Sequence, residues 1–349
     1  MTPRDGAIAE FLAAAGWGDA TIRPLAGDAS NRRYLRLARA ESCGGSTAVL
    51  MDAPPERGED VRPFLAVTEW LRGRGLSAPQ PLAADLDAGL LLLEDLGDDL
   101  FVRHLARHPA AETALYAAAV DLLAGLAAAA PPGRIGTGPA AIDLPAYDAA
   151  VLEREAALFT GWWLPAVSTV SPGMAADYAG LVAEATAPVA ASREVLVLRD
   201  YHAENLLWLP GRSGEARVGL LDYQDALAGH PAYDLVSLLE DARRATAAEL
   251  RAAMVARYLA ARPELDACGF RAAYAILGAQ RNLKIIGIFA RLARRDGKPR
   301  YLSLIPRVWQ HLQRDLAHPS LARLAAWIGR HAPAPEPDVL ARAGATVPA

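Results

Sequence analysis

Lysine is almost missing from this chain. Only Lys284 and Lys298 occur among its 36 basic side chains, and the rest are arginines. A phosphate loop of the G-x-x-x-x-G-K-[ST] type is therefore excluded. So is a kinase-type strand lysine anywhere before Lys284, which leaves arginine or backbone N–H groups to meet phosphate there. Cysteine is scarce too: Cys43 and Cys268 have no metal-ligand spacing and make no disulfide framework. No apolar run reaches membrane-spanning length, and Met1–Glu10 lacks the basic start and apolar core of a secretory leader. The expected location is the cytoplasm, with no membrane partner. A net charge of -4 and a pI near 6.0 argue against a nucleic-acid partner. The 349 residues, 52% hydrophobic and 22% charged, suit a soluble protein with one large or two medium cores. A monomer is expected.

What is present converges on Val195–Asp225, VLVLRDYHAENLLWLPGRSGEARVGLLDYQD. Asp200 follows the apolar run Val195–Leu198. Asn205 comes five residues later, and Asp222 closes a second apolar run, Val218–Leu221. Two short strands over these runs, joined by the turn-rich Pro210–Gly214, are expected to form a hairpin. It would bring the loop carrying Asp200 and Asn205 close to Asp222. Phosphoryl transfer needs a carboxylate that orients the attacking hydroxyl and takes its proton, and oxygen ligands for magnesium on the nucleotide phosphates. Asp200 suits the first task; Asn205 and Asp222 suit the second. The plain alternative makes Asp200 and Asn205 turn formers and Asp222 a strand cap.

These residues resemble the catalytic loop and metal-binding strand of the aminoglycoside phosphotransferase family, a branch of the protein-kinase-like fold. The resemblance implies that Asp200 is the catalytic base and that Asn205 and Asp222 bind magnesium. The family motif often has His two residues before the base. Leu198 stands there, and Leu198-Arg199-Asp200 is closer to the protein-kinase form. Downstream, Gly229-His230-Pro231-Ala232-Tyr233-Asp234 resembles a segment whose acid, here Asp234, braces the catalytic loop. The implied fold is α+β and bilobal. A small β-rich nucleotide-binding lobe covers 1–95, and a larger, mostly helical catalytic and acceptor-binding lobe covers 96–330. A Pro/Ala-rich, loosely held tail covers 331–349. ATP and Mg2+ are the implied cofactors.

Along the chain, Asp5–Ala15 reads as an amphipathic helix ended by Gly16. Leu25–Tyr34 and the alternating Tyr34–Leu37 suggest a strand–turn–strand with small residues at its tip. In a kinase-like lobe such a turn covers the nucleotide phosphates with backbone N–H groups. Gly27, Ser30 and Asn31 are the candidates, and Arg32 or Arg33 could add charge, with Arg36 behind them. A plain hairpin is the alternative. Ser46–Met51 is the next strand, and the kinase-type lysine would fall at or near Met51. Glu59–Arg72 reads as a helix stopped at Gly73. Its Glu69 takes the place of the helix glutamate that pairs with that lysine, and reads as a solvated residue. Gln80–Leu86 and Leu90–Glu94 look like a strand pair around Asp87-Ala88-Gly89. The acidic break Glu94–Asp99 makes a hinge, or else a capped turn. By analogy a hinge backbone bonds the adenine edge, so Glu94 and Leu96 are adenine-contact candidates. Helices are expected over 98–107, 110–129, 145–160, 172–190, 231–244, 247–261, 268–293, 300–316 and 318–330. The G-x-G fragment in Gly133–Pro139 follows no strand and is not a dinucleotide site.

A second stretch is Gln280–Arg291, QRNLKIIGIFAR, where Arg281, Lys284 and Arg291 fall near one helical face. They read either as a solvated stripe or, for Arg281 and Lys284, as the receptor of an anionic substrate group. Phe159-Thr-Gly-Trp162-Trp163 offers Trp162 as an aromatic wall for a sugar ring, or the two Trp as core plus rim. Arg281–Lys284 (RNLK) and Gly287–Arg291 (GIFAR), together with Gly27–Tyr34 (GDASNRRY), Met51–Pro55 (MDAPP), Leu198–Asn205 (LRDYHAEN) and Asp222–Asp225 (DYQD), are similar to the anomeric N-acetylmuramate/N-acetylglucosamine kinases. The similarity spans about residues 20–320. It implies ATP-dependent phosphorylation of a C1 hydroxyl to a sugar α-1-phosphate in peptidoglycan recycling, with a small-molecule amino sugar as partner. It also implies that the missing lysine is a subgroup trait. His202 and Asp225, in the matched segments, join Arg281, Lys284 and Trp162 as substrate-side candidates. One alternative is an aminoglycoside or other small-alcohol phosphotransferase. A polycationic acceptor needs a carboxylate-rich pocket, whereas Arg281 and Lys284 suit a lactyl carboxylate. The other alternative is a non-catalytic nucleotide-binding pseudokinase, which the missing lysine suggests and the intact Asp200, Asn205 and Asp222 oppose.

Overall fold

Leu35 and Leu37 point to one side of a pleated strand and Arg36 to the other, the period a half-buried strand requires. In the computed structural model, which describes residues 2–25, 31–40 and 45–344, this run is the second strand of a five-stranded antiparallel sheet. The strands are β1 (Thr21–Pro24), β2 (Arg33–Ala38), β3 (Thr47–Asp52), β4 (Pro81–Asp85) and β5 (Leu90–Glu94), in the order β1-β2-β3-β5-β4. The helix α1 (Pro3–Ala14) starts at a capping box between Thr2 and Asp5. Its Ile8 and Leu12, with Trp17, pack with Leu35, Leu37, Ala48, Leu50, Leu90 and Leu92. The run Leu90–Leu93 is buried throughout, so this interior strand is apolar on both faces. The helix α2 (Arg62–Arg72) ends at Gly73 as expected, and buries Phe64, Val67, Trp70 and Leu71. Glu69 on α2 is exposed and accepts the Thr137 hydroxyl at 2.9 Å.

The described chain forms two compact units that interleave along the sequence. One holds the chain up to Pro109, Pro132–Leu144 and Glu204–Ala226; the other holds Ala110–Pro131, Pro145–Ala203 and the chain from Leu227. The second is largely helical. Its helices Glu112–Leu126, Ala149–Leu158, Pro172–Ala190, Ala232–Leu239, Ala248–Ala261, Ala267–Arg294, Ile305–Leu316 and Ala322–His331 lie where the sequence predicts them. The helix Ala267–Arg294 runs so close to Leu158 that a Cβ on Gly287 would overlap the Leu158 carbonyl. Beyond Leu158 the chain makes a π-turn, Phe159–Trp163, with Trp163 fully buried and Trp162 half-buried, the core-plus-rim arrangement. Among the described residues no helix is long and apolar enough to cross a membrane.

Two expectations are corrected. The apolar runs Val195–Leu198 and Val218–Leu221 do not pair with each other. Val195–Val197 pairs with Leu227–Gly229, while Val218–Leu220 pairs with Leu206–Trp208. The reason is loop length: Pro210–Gly214 comes just one residue after Leu206–Trp208, a strand of three residues too short to stand out as a periodic run. The segment after His331 is not simply loose. It contains the helix Pro337–Gly344, whose Val339 and Ala343 are buried.

Candidate active site

In the helical unit, the strand Val195–Val197 runs into a tight turn at Leu198-Arg199-Asp200. Arg199 adopts φ 69°, a left-handed conformation that costs a non-glycine residue roughly 1–3 kcal/mol. The surroundings hold it there. The Asp234 carboxylate accepts the backbone N–H of Leu198 at 2.6 Å and of Arg199 at 2.9 Å, so Asp234 does brace this loop. The Ser237 hydroxyl donates to the Arg199 carbonyl at 2.9 Å, and Arg281 Nη2 donates to that hydroxyl at 2.8 Å. The Arg199 guanidinium pairs with Glu155, which also binds Lys284 Nζ at 3.0 Å and the Tyr147 hydroxyl. Burial pushes Asp234 up to about 7, against the pull of its two N–H donors. Burial also opposes the charge on Glu155, but Lys284 and Arg199 hold it below the ordinary value.

Asp200 stands on this turn with its side chain open to solvent, inside a recess lined by protein. Desolvation in the recess pushes its carboxylate up. Lys284, His202, Arg281 and Arg199 more than offset that, and it stays ionised below the ordinary carboxylate value. The recess opens into a cavity of about 120 Å³. His202, Asp241, Arg243, Arg281 and Lys284 line one side with Asp200, and Ile285, Ile288 and Phe289 form an apolar side. Three buried polar atoms here find no partner within the protein: Arg281 Nη1, His202 Nδ1 and Asp241 Oδ2. Burial depresses His202, and its Nε2 receives Arg243 Nη1 at 3.4 Å, which leaves Nδ1 as the protonated nitrogen of a neutral ring. Unpaired buried donors and acceptors on one wall and hydrocarbon on the other suit a polar guest with an apolar side.

The structure thus brings together Asp200, His202, Arg281 and Lys284 of the expected residues. It does not make a solvated stripe of the basic helix face, since Arg281 is only 5% exposed. Trp162 is not among the residues lining this cavity. Asp241 and Arg243 line it without having been expected, and Glu155 and Ser237 hold the turn. None of the four sits in a motif, and Glu155 lies 44 residues before its partner Arg199.

In the sheet-bearing unit, the pair Leu206–Trp208 and Val218–Leu220 sets Asn205 and Asp222 at one end. Leu220 faces Leu206, the N–H of Leu221 donates to the Asn205 carbonyl at 3.0 Å, and Asn205 Nδ2 lies 3.4 Å from Asp222 Oδ2. Asp222 has φ 57°, and Gln224 Nε2 donates to its Oδ1 at 2.8 Å. A half-turn of the Asn205 amide presents its oxygen beside the carboxylate. Two hard oxygen groups of this kind fit magnesium, which keeps waters and takes its other ligands from phosphate. Asp225 is exposed in the same unit.

Of the nucleotide-side candidates, Gly27 and Ser30 lie outside the described residues. Asn31 Nδ2 donates to the Arg57 carbonyl at 3.3 Å. Arg32 pairs with Glu59 at 2.7 Å, Arg33 with Asp52 at 2.7 Å, and Arg36 with Asp95 and Asp98. Glu94 ends β5, its N–H donates to the Gln80 carbonyl at 2.7 Å, and its carboxylate is held by Arg212 and Arg72. Leu96 follows, half-buried, in the irregular stretch before the helix Phe101–Arg107.

Comparison with known proteins places these features. A sequence profile of the phosphotransferase enzyme family matches residues 21–268. A protein of Caulobacter vibrioides named N-acetylmuramate/N-acetylglucosamine kinase is 44% identical over 95% of this chain and 97% of its own length. One of the same name from Pseudomonas aeruginosa is 36% identical over 92% of each chain. Among solved structures, the GDP complex of wild-type aminoglycoside 2'-phosphotransferase-IIIa shares the fold. It covers 90% of this chain and 99% of its own at a TM-score of 0.57, with 15% sequence identity.

Proposed function

The chain belongs to the phosphotransferase enzyme family and is a kinase for hydroxyl acceptors, and from that premise we propose that it transfers the γ-phosphoryl group of ATP to the C1 hydroxyl of N-acetylmuramate and/or N-acetylglucosamine. The product is the sugar α-1-phosphate, and the setting is peptidoglycan recycling in the cytoplasm. The identity of the relatives over nearly the whole chain supports the substrate class.

The observation that carries the reading is the ionised carboxylate of Asp200 on a braced turn at the mouth of a cavity with unpaired polar atoms. The acceptor hydroxyl donates to Asp200, which orients one oxygen lone pair for attack and takes the proton as the new P–O bond forms and the γ-phosphorus parts from the bridging oxygen, which leaves with ADP. Because the transition state is loose, a carboxylate of low basicity suffices: positioning matters more than proton abstraction. Arg281 Nη1 and His202 Nδ1 offer donors to the sugar's oxygens, and Asp241 Oδ2 offers an acceptor. Arg281 and Lys284 supply positive potential suited to a lactyl carboxylate, with Lys284 shared by Glu155. Asn205 and Asp222 would hold magnesium, which neutralises charge on the nucleotide phosphates when bound. Glu94 and Leu96 are assigned to adenine, and Asn31 and Arg32 to the phosphate side.

The test is nucleotide consumption with N-acetylmuramate, N-acetylglucosamine, kanamycin and no acceptor, followed by phosphorus NMR of the product. We expect turnover with the two N-acetyl sugars and a phosphate on C1. Turnover with kanamycin alone, or phosphate on another carbon, would overturn the reading.

A further inference from the structure

The near absence of lysine leaves a question that the sheet-bearing unit answers. Kinase-like sites meet the nucleotide phosphates with a strand lysine paired to a helix glutamate. Here Met51 stands at the lysine's expected place, is 1% exposed, and lies opposite Tyr34 in the sheet. Glu69, the expected helix partner, is exposed and occupied by Thr137. Three arginines follow the β1–β2 connection. Arg33 turns to Asp52, an acid that Arg4 also binds, and half of its side chain is exposed. Arg36 turns to Asp95 and Asp98 near the hinge.

Arg32 differs from both. Its side chain is 14% exposed, and it donates from Nε to Glu59 Oε2 at 2.7 Å, an acid only 12% exposed. The carboxylate of Asp225 acts on Arg32, and the phenol of Tyr34 beside it feels both Arg32 and Asp222. Arg32 thus shares the neighbour Tyr34 with Asp222, the expected magnesium residue. A nearly buried ion pair is a weak source of stability, because desolvating two charges offsets much of their attraction. A binding role gives that burial a use: the Nε–H bond to Glu59 fixes the plane of the guanidinium before any phosphate arrives.

We propose that Arg32, oriented by Glu59, is the cation that receives the nucleotide phosphates in place of the strand lysine. Glu59, ahead of α2 rather than within it, is then a positioning residue that takes over the task of Glu69. The proposal rests on the reading that the chain binds ATP, and deepens it by naming the residue pair.

Titration with a fluorescent ATP analogue and magnesium, with no acceptor, reads binding independently of the sugar. Arg32→Ala should weaken it on the order of tenfold to a hundredfold, the loss of charge-assisted hydrogen bonds to phosphate. Arg32→Lys should recover part of the loss. Glu59→Gln should weaken binding in the same direction by about threefold to tenfold, and add little on top of Arg32→Ala, since the two act through one group. Steady-state KM for the sugar should stay within about twofold in Glu59→Gln, which a general loss of structure would not allow. A folded Arg32→Ala protein with wild-type affinity overturns the proposal. So does a loss that follows Arg33→Ala or Arg36→Ala instead. If Arg32→Ala does not fold, unchanged affinity in Glu59→Gln overturns it. A wild-type protein that binds no nucleotide overturns the ATP reading itself, a distinct result from Arg32-independent binding.

Discussion

The carboxylate of Asp234 accepts the backbone N–H of Arg199 at 2.9 Å, and Arg199 carries a positive φ. One buried acid thus holds the left-handed turn on which Asp200 stands. Asp234→Asn keeps the volume but sets an NH2 group against one of two N–H donors. We expect unfolding stability to drop by roughly 1.5–3 kcal/mol, read by denaturant titration. We also expect kcat to drop on the order of tenfold, with ATP affinity unchanged, because the turn and not the nucleotide side is loosened.

Asp200→Asn keeps shape and removes proton acceptance. Turnover should drop on the order of a hundredfold or more, with nucleotide binding kept. The depressed pKa keeps Asp200 ionised from neutrality down through the ordinary carboxylate range near about 4, and Asp200 itself takes up a proton only below that range. A decline in activity as pH falls below about 7 therefore belongs to protonation of the bracing Asp234. Near-normal turnover in Asp200→Asn would remove the residue from the mechanism.

Asp222→Ala should abolish turnover and, in the same protein, remove the magnesium dependence of ATP binding. Calorimetric titration with and without magnesium checks this. Binding that keeps its full magnesium dependence would contradict the assignment of Asp222 and Asn205.

Away from the cavity, Glu240 and Asp315 are both buried and both accept Asn282 Nδ2, at 2.8 and 2.9 Å. Burial pushes both carboxyls above their ordinary values, so the folded state holds a proton that the unfolded state has released. Stability from this pair is full below the unfolded value near about 4 and is lost as pH rises through the folded one. Asp315→Asn removes that titration. The stability difference, wild type minus Asp315→Asn, should shrink as pH rises from 5 toward 9, measured as unfolding midpoints on the two proteins. A difference independent of pH would refute the shared proton.

Gly287→Ala places a methyl group on the Leu158 carbonyl. The helices Ala267–Arg294 and Ala149–Leu158 must separate, at about 2 kcal/mol or more of stability. Thermal unfolding of the variant checks it, and a midpoint equal to wild type would mean that the approach is looser than it looks.

The helices were legible because their signals are local. Gly16 and Gly73 follow the ends of α1 and α2. The candidates Asp200, Asn205 and Asp222 stand out in the sequence for a related reason: each follows or precedes a short apolar run with few alternatives nearby. Strand pairing was not. Val195–Val197 and Val218–Leu220 look alike as sequences, and only the hidden three-residue strand Leu206–Trp208 decides which partner each takes. The sequence leaves the basic face at Arg281 open between a solvated stripe and a receptor for a similar reason, since a guanidinium is stable inside when acceptors such as the Ser237 hydroxyl come from another helix.

By itself the sequence determined that no lysine precedes Lys284, and it placed Asp200, Asn205 and Asp222 as the candidates for phosphoryl transfer, while the fold class came through the family resemblance those motifs carry. The first follows from composition, and the second from local motifs and from chemistry that tolerates few substitutes. Only the tertiary structure decided which arginine is buried against Glu59, that Glu155 joins Arg199 and Lys284, and that Asp241 and Arg243 line the cavity beside Asp200. Ion pairs and cavity walls join residues far apart in the chain, and nothing in the order of the amino acids marks which charges fall within a few ångströms of each other.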